Sequence, residues 1–68
     1  MDPLIKNIMV LLSNHMKVGA TLLDRARTKC EEGDFRSASH ILALIPRDME
    51  AKLSPIERYV GDKIKEGN

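Results

Sequence analysis

The stretch that decides the fold is residues 2–33, DPLIKNIMVLLSNHMKVGATLLDRARTKCEEG. Asp2-Pro3 is a helix start: an acid that can cap, then a proline at the first helical position, where a missing N–H costs nothing. From there Ile5, Met9, Leu12, Met16, Gly19, Leu23, Ala26 and Cys30 follow one another at alternating steps of four and three. That spacing is a heptad-type stripe, the pattern of a helix burying one face. A second apolar row, Leu4, Ile8, Leu11, Val18 and Leu22, lies beside it. Lys6, Asn7, Asn14, Lys17, Thr21, Arg25 and Thr28 take the remaining positions. Glu32-Gly33 ends the run, with Gly33 placed as a helix-terminating glycine. The reading is one long amphipathic helix over about residues 3–32, roughly 45 Å long. Weak helix formers at Asn14-His15 and Gly19 mark where it would break into two shorter helices.

Working outward, Asp34 can cap a second helix, about residues 35–45, with Phe35, Ala38, Ile41, Leu42 and Ile45 as its apolar set and Pro46 as its stop. A short helical turn is expected over Arg47–Leu53. Ser54-Pro55-Ile56-Glu57 then has the form of a capping box with proline at the first helical position. It opens a last helix, about residues 55–66, with Ile56, Tyr59, Val60 and Ile64 on one face. The fold class expected is all-α: a helical hairpin or small bundle forming a single helical domain over residues 1–68.

Composition agrees. The chain is 43% apolar and 31% charged, too apolar for disorder. Phe35 and Tyr59 are its only aromatics, so the core must be aliphatic. A chain this short buries only about 60% of its unfolded surface. It therefore needs disulfides, a metal, association or very regular packing. With Cys30 as the one cysteine, an internal disulfide is excluded. The apolar run Ile8–Leu12 is too short to span a membrane. Asp2 and Asn14-His15 do not suit a secretory leader. A cytoplasmic protein is expected.

Ala26 to Leu42 reads A-x-x-x-x-x-x-G-D-F-x-x-A-x-x-x-L. It is similar to the turn of tetratricopeptide-type helical hairpins, where a small residue, a Gly-Asp or Gly-Asn turn, an aromatic and an alanine recur. The similarity covers about a quarter of the chain and does not repeat. It implies antiparallel packing of the helices on either side of Gly33-Asp34.

Few residues offer chemistry. Cys30 with His15 or His40 is the only conceivable thiol–imidazole pair, but Cys30 falls on the apolar stripe, where a cysteine is ordinarily structural. No metal-ligand spacing occurs, and Glu31-Glu32-Gly33-Asp34 lacks the alternating pattern of a calcium loop. Gly19, Gly33, Gly61 and Gly67 are too dispersed to cradle a phosphate. No enzyme, catalytic residue, metal, cofactor or small-molecule substrate is expected.

Net charge is +1, with no global pull toward polyanions. The basic cluster Arg25, Arg27, Lys29 and Arg36 supports a runner-up reading as a small nucleic-acid-binding regulator. The favoured reading is a non-enzymatic protein–protein interaction module: an adaptor, chaperone, inhibitor or assembly subunit. Coiled-coil-like association, as a homodimer or higher oligomer, is part of it. Its basis is that the later helices are too short to cover both apolar rows of the first. The expected partner or oligomer interface is Leu4, Ile5, Ile8, Met9, Leu11, Leu12, Met16, Val18, Leu22 and Leu23.

Overall fold

The computed structural model describes residues 1–16, 18–46 and 50–67. Among them are four helices and no strand: α1 Pro3–His15, α2 Ala20–Glu31, α3 Phe35–Leu42 and α4 Glu50–Glu66. The all-α small bundle expected from the sequence is the fold observed.

The long first helix is the main correction. It is two helices, α1 and α2, and not one element over residues 3–32. Met16 leaves α1 in an extended conformation (ψ 135°), and Gly19 precedes α2 with φ of 89°. That left-handed geometry carries little cost only for glycine. Space reinforces the choice: a Cβ on Gly19 would lie 2.9 Å from Met16 Cε, 3.4 Å from Ile45 Cγ2 and 3.4 Å from Pro46 Cδ. The break has a physical reason. A straight helix of roughly 45 Å would expose most of its stripe to water. Folding at residues 16–19 turns Ile5, Met9, Leu12 and Met16 toward Leu23, Ala26 and Cys30, so the two halves of one stripe bury each other. The longest dimension of the molecule is accordingly 34 Å, and its radius of gyration is 10.8 Å, that of a close-packed chain of this length.

The remaining boundaries follow local chemistry. Pro3 opens α1, and Leu4 N–H donates to Asp2 Oδ1 at 2.8 Å. Gly33, with φ of 83°, ends α2 in a Schellman pattern: Gly33 N–H donates to Cys30 O (3.1 Å) and Asp34 N–H to Lys29 O (2.9 Å). Asp34 then caps α3, accepting from Ser37 N–H at 3.2 Å. α3 ends at Leu42, three residues short of expectation. Leu44 N–H and Ile45 N–H instead donate to Ile41 O and Leu42 O in tight turns. α4 starts at Glu50 and not at residue 55, so Ser54-Pro55 lies inside it. Of the turn expected over Arg47–Leu53, residues 47–49 lie outside the described residues.

The core is a single aliphatic cluster: Ile5, Met9, Leu12 and Met16 from α1 and its end, Leu23, Ala26 and Cys30 from α2, Ala38, Leu42 and Ile45 from α3 and its exit, and Leu53, Ile56 and Val60 from α4. No polar or charged residue is buried among the described residues. The two aromatics meet at the rim, Phe35 and Tyr59 edge to face with centroids 6.2 Å apart. Tyr59 also accepts a hydrogen bond from Asp2 N–H at 3.2 Å, tying the start of α1 to α4.

Candidate interaction surface

α1 carries three sets of side chains, and their angular order decides what each does. At about 100° per residue, the core set of Ile5, Met9, Leu12 and Met16 falls within one narrow arc. Lys6 and Ser13 lie about 80° to one side of it, and Leu4, Ile8, Leu11 and His15 about 100° to the other.

The polar side faces α2. Lys6 pairs with Glu31 at 3.7 Å, Ser13 Oγ donates to Asp24 Oδ1 at 2.9 Å, and Arg27 bridges the two acids, 3.9 Å from Asp24 and 3.3 Å from Glu31. Residue 6 opposite 31 and 13 opposite 24 makes α1 and α2 antiparallel, the packing that the helical-hairpin resemblance implied across the next turn.

The other side is open. Leu4 and Leu11 are 66% and 60% exposed, with Ile8 half-buried between them. Here α1 also runs antiparallel to α4, with Asp2 at Tyr59 and His15 near Lys52. The two helices leave a groove of about 340 Å³ lined by Ile8, Leu11, Leu12, His15 and Lys52. Among the described residues its polar lining is an imidazole and an ammonium. α1 itself contains no acidic residue.

The ten residues expected at an interface therefore divide. Ile5, Met9, Leu12, Met16 and Leu23 are buried in the chain's own core, Leu12 also reaching the groove wall. Sequence spacing could not separate these uses, because a stripe that pairs with itself and one that pairs with a partner look alike. Leu4, Ile8 and Leu11 remain as a continuous row. Val18, 69% exposed, and half-buried Leu22 would extend that row on a continuous helix, but the break at residues 16–19 detaches them. Leu44, just beyond the end of α3, is also 69% exposed. His15 and Lys52 were not expected at the interface. Their place at the groove depends on how α4 lies against α1, which no local pattern encodes.

The basic cluster is partly neutralised. Arg27 has its two acidic partners, and Lys29 pairs with Glu32 at 3.5 Å, while Arg25 and Arg36 are exposed. Cys30 is 2% exposed, and burial pushes its thiol pKa up, outweighing the lowering effect of the N-terminal charge. That disfavours the thiolate a nucleophile requires. Among the described residues no group of three or more His, Cys, Asp or Glu side chains could hold a metal ion. A second depression, about 210 Å³ between the start of α3 and the end of α4, includes Arg36 and Lys63. Asp34 already supplies the negative charge at that helix start. No described helix is long and apolar enough to cross a membrane.

No protein-family model, curated protein or solved structure matches this chain.

Proposed function

We propose that the chain is a non-enzymatic protein-interaction module, an adaptor, chaperone, inhibitor or assembly subunit, that binds through the open side of α1. The observation carrying this reading is that Leu4 and Leu11 stand largely exposed on a regular helix whose other apolar face is fully used. Burying one leucine side chain is worth roughly 1.5–3 kcal/mol. A row of such groups beside a groove, on an otherwise ordinary charged surface, is the mark of a binding surface. The burial of Cys30 supports the non-enzymatic part. The ion pairs that occupy Arg27 and Lys29 leave the nucleic-acid alternative without an observation of its own.

The test is site-specific photo-crosslinking in the native host. A benzophenone side chain at position 11 should form a discrete protein adduct that Leu4→Glu abolishes. The same probe at exposed position 62 of α4 should not form it. Equal labelling at the two positions, or none at position 11, overturns the reading.

A further inference from the structure

Resting on that reading, we propose that the occupant of the α1–α4 groove is a single amphipathic helix of another protein, with aliphatic anchors at heptad spacing and a carboxylate at the end that meets His15 and Lys52. Three features select it. The first is length and shape. Leu4 to His15 rises about 16 Å at 1.5 Å per residue, so the row matches two to three turns of a docked helix, whose anchors recur at i, i+4 and i+7.

The second is charge. Among the described residues the groove is lined by apolar Ile8, Leu11 and Leu12 and is cationic at one end, where Lys52 stands beside His15. Lys52 lies in the first turn of the seventeen-residue α4, at the positive end of its dipole. An acidic side chain there gains attraction at entry and discriminates against basic sequences.

The third feature is the order of groups along α1, and it argues against a second copy of this chain. A two-fold antiparallel pairing of α1 would set His15 of each copy against Leu4 of the other, a polar group on an apolar one. A separate helix can seat its apolar residues on Leu4, Ile8 and Leu11 and its acid on the cationic end at once.

The experiment uses the full chain as bait for a displayed library of eighteen-residue helical peptides. Anchor positions vary among Leu, Ile, Met, Phe and Ala, and flanking positions among Glu, Lys and Ser. Enriched peptides should carry apolar anchors at i, i+4 and i+7 and Glu at the end that meets Lys52. In ¹H–¹⁵N spectra their footprint should fall on Ile8, Leu11 and His15. Lys52→Glu should weaken them at least tenfold and shift the enrichment to Lys at that position, while circular dichroism stays unchanged. Enrichment of basic flanks, absence of any enrichment, or a footprint elsewhere overturns the proposal. So does a concentration-dependent dimer in light scattering that Leu11→Glu dissolves. If position 11 still forms its adduct in the native host, the interaction reading survives and only the acidic-helix occupant falls.

Discussion

The two flanks of α1 are built from the same thirteen residues and do opposite things. Toward α2 the flank is polar and closed: Lys6, Ser13, Asp24, Arg27 and Glu31 form one connected network. Toward α4 it is apolar and open, with Leu4 and Leu11 facing water. Folding alone would favour the reverse, with leucines inside a seam and charges outside. Exposed ion pairs contribute about 0–1 kcal/mol each, so the closed flank adds direction and register more than energy. The stability comes from the core between the flanks. An apolar row kept outside while charges line a helix–helix seam is therefore a feature that folding does not require.

The largest expected effect separates core from open flank on one helix. Met9 is fully buried and Leu11, two residues on, is 60% exposed. Met9→Glu places an unpaired charge in the core and should remove about 4 kcal/mol or more. That is comparable to the whole stability of a chain this size, so no cooperative melt should remain in circular dichroism. Leu11→Glu should stay within about 0.5 kcal/mol of the parent. Equal damage from both would mean that the open flank is core after all.

Next comes the turn that creates the two flanks. Gly19→Ala forces a left-handed alanine and crowds the movable end of Met16. A loss of about 1–2 kcal/mol is expected, read as a lower denaturation midpoint with an unchanged slope. An unchanged midpoint would mean that the turn does not require glycine. Gly33→Ala, where a Cβ meets nothing within 4 Å, isolates the backbone contribution and should cost less.

The closed flank itself is worth less. Ser13→Ala removes the hydrogen bond to Asp24 and should cost about 0.5–1 kcal/mol. The remaining ion pairs should make the parent's stability fall modestly with added salt. A loss beyond about 2 kcal/mol would show that the network carries the α1–α2 seam and does not merely direct it.

The smallest effect is a pH dependence outside both flanks. Hydrogen bonds from Ser37, its hydroxyl first and then its N–H, hold the Asp34 carboxyl below its ordinary value of 3.8. With the folded value lowered, ionised Asp34 contributes stability fully above that ordinary value. The contribution is lost as pH falls below it and through the folded value. Asp34→Asn should flatten this part of the acid limb of a stability profile while leaving the open flank's binding unchanged. An acid limb identical to the parent's would sink the assignment.

Much of the fold was legible because its signals are local. Asp2-Pro3, Gly33 and Asp34 each work through a backbone group within a few residues, so their roles could be read directly. The stripe from Ile5 to Cys30 was equally legible as core: of its eight positions only Gly19 stays outside the buried cluster. The start of α4 was misplaced because Ser54-Pro55-Ile56-Glu57 has the form of a helix opening. The structure carries the helix through it, although Pro55 has no N–H to give. Which apolar residues stay at the surface is not legible, and five of the ten expected at an interface lie in the core, because periodicity reports which face is apolar and not what covers it.

By itself, then, the sequence determined that the chain is helical, where α1 begins, where α2 ends, and that two apolar rows run along residues 4–30. Only the tertiary structure decided that the first row folds against itself at Met16–Gly19, and that Leu4, Ile8 and Leu11 stay outside beside His15 and Lys52. The reason is reach. Capping and helix termination are settled by hydrogen bonds within one turn. The choice of which apolar face is covered depends on how much surface distant helices can offer, and here they offer enough for one row and not for the other.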